Sequence, residues 1–160
     1  TRSGLELYDH LFEVGKDYNI KPGYPNLIER IESALLSCGN DFDNNDNPLE
    51  CGFDKFVNLD TDVEFVGKGE LIKIQSNGIN KRLMGITIDT NFINVSSSMN
   101  VYDQNDNTIG ELRSGIFSPH FKKVIGIVMV KKPFWNFTEI CKIEIEGESF
   151  NGSLCELPFL

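Results

Sequence analysis

Apolar residues recur at helical spacing near the start of the chain, where Leu5, Tyr8, Leu11, Phe12 and Gly15 line one side of LELYDHLFEVGKDY. Ser3 stands before this stretch with Glu6 three residues on, so a capping box is expected there. Pro22, Gly23 and Pro25 in NIKPGYP then interrupt regular structure. The pattern predicts a second helix over NLIERIESALLS, with Asn26 as its cap and Glu29 at the third helical position. Leu27, Ile31, Ala34 and Leu35 form its apolar stripe, and Gly39 ends it. FDKFVNLD reads as a strand and EFVGKGELIKI as a short helix.

From Lys81 the texture changes. RLMGITID, NVYDQNDNTIGELRSG, KKVIGIVMVK and EICKIEIEG are β-branched runs separated by turn residues, as in a small antiparallel barrel or sandwich. Asp103 to Asn107 has the Asn/Asp content of a hairpin tip. The boundary is expected near residues 76–80, giving an α/β segment over 1–76 and a β-rich domain over 77–160, an α+β chain with no internal repeat.

Composition narrows the function. Hydrophobic residues make up 40% of 160, enough for a packed core. A formal charge of −9 argues against a nucleic-acid surface, since phosphate binding needs a basic footprint. No apolar run approaches the length of a membrane span. Cys38, Cys51, Cys141 and Cys155 lack the two-residue spacing of zinc knuckles or redox pairs, and are expected to be small buried hydrophobes in a reducing cytosol.

Residues 37–52, SCGNDFDNNDNPLECG, invite a test as a metal loop. An EF-hand loop needs Gly at its sixth position and Glu at its twelfth. Counting from Asp41 these are Asp46 and Gly52; counting from Asp103 they are Thr108 and Ser114. Both registers fail, and no histidine stands near Cys38 or Cys51 in the sequence. No metal is expected.

The frame around that loop carries a resemblance. Arg30, Ile31 and Glu32 are followed by Gly39, Asn40 and Asp41; then come Pro48, Glu50 and Gly52, Leu59 and Asp60, and Phe65, Gly67, Lys68 and Leu71. GELRSGIFSPHFKKVIGIVMV and the terminal LPFL follow in the same order. This series resembles the aminomethyltransferase family of folate enzymes, typified by the glycine cleavage T-protein, over essentially the whole chain. GKDYNIKPGYPNLIERIESALLSCGND and FKKVIGIVMVKKPFW look most like the dimethylsulfoniopropionate demethylase branch. T-proteins carry an arginine where this chain has Asn26, a departure that puts glycine-cleavage chemistry in doubt.

The resemblance implies the C-terminal part of a three-lobed folate-transferase fold, an α/β segment followed by a small antiparallel β-barrel, with Thr1 inside a longer polypeptide whose N-terminal lobes are partners of this piece. It implies tetrahydrofolate as cofactor, a small-molecule one-carbon donor, a cytoplasmic setting and no metal. It offers Asn26, Asn40, Asp41, Glu50 and Arg113 as cofactor-binding candidates and assigns no catalytic residue. The plainer readings are a helix cap for Asn26, turn residues for Asn40 and Asp41, a surface carboxylate for Glu50 and a strand-face arginine for Arg113. Arg30 is expected to pair with a buried carboxylate, Glu6 to be a first-turn helix glutamate, and Trp135 with its neighbouring phenylalanines to be core. The alternatives are a T-protein proper and a non-catalytic folate-binding relative.

Overall fold

The computed structural model describes residues 3–23, 26–95, 97–136 and 140–160; Pro25 and Phe137 lie outside them. The first helix, α1, spans Gly4–Val14, with Glu6 in its first turn. Ser3 does not cap it. Its φ of −101° and ψ of 16° are not the extended geometry that aims a cap hydroxyl at the first-turn amides, and its side chain makes no cap hydrogen bond. A short 3-10 turn, Lys16–Tyr18, follows, and the chain reverses at Asn19 with φ of 52°.

The second helix, α2, spans Leu27–Glu32, and Asn26 caps it by accepting a hydrogen bond from the Glu29 amide at 2.9 Å. It ends five residues before the expected Ser37. Ala34 takes a left-handed φ of 54°. The Leu35 amide then bonds the Arg30 carbonyl at 2.8 Å and the Ala34 amide bonds the Ile31 carbonyl at 3.0 Å. That is the paired closure of a Schellman turn, with alanine where glycine is usual.

FDKFVNLD is not a strand. Asp54–Phe56 form a 3-10 turn instead. Phe53 and Phe56 are spaced for a helical turn rather than for alternation, and Phe53 packs edge-on against Phe42 at 5.4 Å between centroids. The short helix expected afterwards is present as α3, Lys68–Asn77. The buried Lys68 ammonium donates to the Thr61 carbonyl and, at 3.2 Å, to the Val63 carbonyl, which folds the preceding turn onto the helix.

Six strands then close an antiparallel barrel: β1 Lys81–Ile88, β2 Met99–Tyr102, β3 Thr108–Ser118, β4 Lys123–Lys131, β5 Cys141–Ile145 and β6 Glu148–Cys155, in the order β1-β4-β3-β2-β5-β6. Closure leaves no free sheet edge. Ile86, Ile88, Leu112, Val128 and Ile143 are among the residues that fill the interior. β4 is buried on both faces, because Ile125 and Ile127 on its outer face meet Ile31 of α2. That explains why KVIGIVMVK is continuously apolar rather than alternating. At the hairpin tip, Asp103 Oδ1 accepts from the Asn105 and Asn107 amides, both at 2.8 Å. Trp135 packs against the core and donates its indole N–H to the Val130 carbonyl at 3.0 Å. All four cysteines are free: Cys51 and Cys141 are buried, while Cys38 is exposed. No helix among the described residues is long and apolar enough to cross a membrane.

Candidate functional site

α2 lies on the outer face of β3 and β4, pinned by three consecutive residues. Ile31 is fully buried between Ile125 and Ile127. On one side of it, Arg30 donates to Ser114 Oγ at 3.3 Å. On the other, Ser118 donates its hydroxyl to the buried Glu32 carboxylate. The Arg30 guanidinium also pairs with Asp41 at 2.5 Å and donates to the Leu35 carbonyl at 3.1 Å. The buried partner expected for Arg30 is therefore Asp41. This carboxylate is fully enclosed; its other contacts are the Ser37 amide at 2.7 Å and the Ser114 hydroxyl.

A β-bulge makes this junction possible. Along β3 and β4, Leu112 pairs with Val128 but Ser114 pairs with Ile127, so Arg113 is an extra residue. Successive strand residues ordinarily face opposite sides, and the extra residue cancels that alternation locally. Leu112 points into the barrel core, while Arg113 and Ser114 both meet the loop between α2 and α3.

A second polar cluster ties the same loop down. Asp46 is paired with Lys81, and Arg113 lies 4.0 Å away. Lys81 is also 3.8 Å from Glu50, and Arg113 is 3.0 Å from Glu111. Burial by itself would raise the Asp46 carboxyl, yet Lys81, the Asp43 amide and Arg113 hold it below the usual aspartate range. The Leu83 amide donates to the Glu50 carbonyl at 2.9 Å, so loop and barrel are joined through backbone as well.

Together these elements enclose a cleft of about 790 Å³ between the exit turn of α2, residues 49–56, the start of β1 and the tail around Leu157. Its walls are largely apolar, with Leu36, Phe53, Phe56 and Leu83 prominent. Glu50 lines this cleft; Asn26, Asn40, Asp41 and Arg113 do not. Asn26 sits at the opposite end of α2, engaged as its cap. Asn40 is exposed at the start of the loop and donates to Ser37 Oγ at 3.0 Å. Asp41, Glu50 and Arg113 are brought together by the two polar clusters, linked through Ser114, Asp46 and Lys81.

Sequence reasoning missed Arg82. It lines the cleft, pairs with Glu156 and lies 5.4 Å from the Trp135 ring centre. Its Nε–H, like that of Arg113, is buried without a hydrogen-bond partner. No local pattern distinguishes such an arginine, because an unfilled donor is a property of tertiary packing. Buried donors are ordinarily satisfied, so these two point to an acceptor that binds from outside the described residues. An apolar cleft with cationic donors at its edge suits an elongated, partly aromatic anion, which is the character of a folate. A thiol nucleophile is poorly provided for: burial, followed by Asp46 and Glu50, pushes Cys51 up to about 11. Among the described residues no three His, Cys, Asp or Glu side chains gather as a metal site.

Comparison with known proteins accords with this architecture. Residues 81–160 match the glycine cleavage T-protein C-terminal barrel domain, and residues 1–61 match the GCVT N-terminal domain. The dimethylsulfoniopropionate demethylase of Ruegeria pomeroyi is 34% identical over 82% of this chain and 35% of its own length. The aminomethyltransferase of Thermoanaerobacter sp. is 32% identical over 99% of this chain and 43% of its own. The aminomethyltransferase T of the Bartonella henselae glycine cleavage system superposes with a TM-score of 0.72 at 22% identity, over 82% of this chain and 37% of that one. The chain thus spans less than half the length of each of these relatives. By its matching barrel and by the segment docked on it, the chain belongs to the glycine cleavage T-protein family.

Proposed function

We propose that this chain is the C-terminal part of a tetrahydrofolate-dependent methyltransferase that moves a methyl group from a sulfonium substrate of the dimethylsulfoniopropionate kind to folate. The observation that carries the folate reading is the apolar cleft with Arg82 on its wall and Arg113 in the adjoining cluster, each with a buried, unpartnered Nε–H. Asn26 favours the sulfonium donor, because a neutral amide engaged in capping stands where the resemblance puts a T-protein arginine. The demethylase of Ruegeria pomeroyi, at 34% identity, supports the same choice.

Tetrahydrofolate supplies, when bound, the nucleophilic nitrogen. Arg82 and Arg113 donate to its anionic part, and Phe53 and Leu83 pack against its aromatic part. Asn26 and Asn40 offer amides at the two ends of the α2 segment. Asp41 and Glu50 act on the folate wall by holding the loop to the barrel. A sulfonium methyl is activated by its own charge, so alignment does most of the catalytic work and no general base is required from this segment. The division at residues 76 and 77 belongs to the same proposal, as does a cytoplasmic setting, which the four free thiols favour.

Transfer of an aminomethyl group is the second reading. It is favoured by the aminomethyltransferases of Thermoanaerobacter sp. and Pseudothermotoga lettingae, which match 99% and 98% of the chain. The test is methyl transfer to tetrahydrofolate from dimethylsulfoniopropionate against transfer from an aminomethyl-loaded carrier protein, in a family-length polypeptide carrying this chain. Preference for the carrier would replace the sulfonium reading. The 160 residues alone are expected to show no turnover, since the pocket needs walls from the remaining lobes; robust turnover would remove that expectation.

A further inference from the structure

Apolar exposure is distributed unevenly. Phe92, Ile140 and Leu160 are the large apolar side chains left exposed among the described residues of the barrel half. α1 alone exposes Leu5, Leu7, Tyr8, Leu11 and Val14, and none of its residues is buried. Eleven residues are too few for a helix to persist unaided in water, so α1 needs a surface to pack on.

A second copy of the chain is a poor candidate. Between residues 4 and 14 the charged side chains are Glu6, Asp9 and Glu13, with no lysine or arginine, and the whole chain carries −9. Apposing two such helices brings like charges together. The relatives, by contrast, have more than half of their length outside the matched region.

We infer that the apolar face of α1 is the docking surface for the part of a family-length polypeptide that this chain does not span. Leu5, Tyr8 and Leu11 are its anchors, one helical turn apart, and the exposed acids are its solvent side. The inference rests on the reading of this chain as part of a longer enzyme, and it names the surface through which the remaining lobes attach.

Hydrogen exchange on the 160-residue protein and on the intact Thermoanaerobacter aminomethyltransferase tests it without folate or a methyl donor, so the result is independent of the substrate reading. The amides of residues 8–14 are expected to exchange almost unprotected in the isolated chain while those of β3 and β4 are protected. The aligned helix of the intact relative is expected to be protected at least a hundredfold more. Leu5→Asp with Leu11→Asp should leave the melting temperature of the isolated chain within 2 °C, and the aligned aspartates should lower that of the relative by more than 10 °C. Protection of α1 that grows with concentration would replace the proposal by self-association. Concentration-independent protection in the isolated chain, an unprotected helix in the relative, or an indifferent melting temperature in the relative's variant would each overturn it.

Discussion

Replacing Asp41 by alanine is the sharpest test of how the α2 segment is held. The substitution removes a carboxylate with no exposure, which serves Arg30, Ser114 and the Ser37 amide at once. The Arg30 side chain is only 13% exposed, so its charge would stay in a largely dry site. Breaking a buried pair from one side costs about 3–5 kcal/mol, mostly from the charge left behind. Arg30 keeps two neutral acceptors, the Leu35 carbonyl and Ser114 Oγ, so the lower end applies, about 3 kcal/mol. With a urea slope of about 2 kcal/mol/M, the unfolding midpoint should fall by about 1.5 M. Circular dichroism at 222 nm reads the transition. The pair Arg30→Met with Asp41→Leu should recover most of the loss, because it leaves no orphaned charge. A midpoint shift below about 0.3 M for Asp41→Ala would refute the claim that this carboxylate anchors the segment.

Three further outcomes follow from the same coordinates. Under native conditions near pH 8, a thiol reagent should modify the exposed Cys38 first, because burial pushes Cys51, Cys141 and Cys155 each up to about 11; mass spectrometry of the labelled peptides checks the order. Asp46 is held below the usual aspartate range, so its stabilisation is complete above the unfolded value and disappears as pH falls through the folded one. The stability gap between the native chain and Asp46→Asn should therefore be constant near neutrality and narrow only below about pH 4, as read by urea titrations at several pH values. Ala34→Gly should stabilise the chain by roughly 0.5–1 kcal/mol, seen as a higher melting temperature, because glycine takes the left-handed φ of 54° without steric cost.

Local signals explain what was legible in the fold. Asn26 announced α2 because an N-cap is a short-range device, and it makes the expected bond to Glu29. The β-branched runs after Lys81 announced strands, although the choice between barrel and sandwich depends on the pairing of β1 with β6, sixty-odd residues apart. The end of α2 was invisible because alanine is a strong helix former and carries no hint of a left-handed conformation. Residues 53–60 were misread because two phenylalanines three apart look equally like a half-alternating strand until their partner, Phe42, is known.

The candidate site was legible in a different sense. Arg30 with Glu32, Gly39 with Asp41, and Ser114 with Ser118 belong to motifs far apart in sequence, and the structure makes them one joint. Their common requirement is geometric. Arg30 and Glu32 are two residues apart on a helix, and the hydroxyls they need are four residues apart on a strand. Four strand residues advance roughly 13 Å, far more than two helical residues rise, so only long side chains reaching in opposite directions can span the difference. Arginine and glutamate do so, with Asp41 inserted to complete the arginine side. The bulge at Arg113 is the remaining condition. Without the extra residue, Ser114 and Arg113 would face opposite sides of β3, and either the Asp41 knot or the Asp46 cluster would lose its barrel partner. An acidic loop with the composition of a metal site is thus held by two barrel-borne contacts, and the cleft beside it exists because both are made.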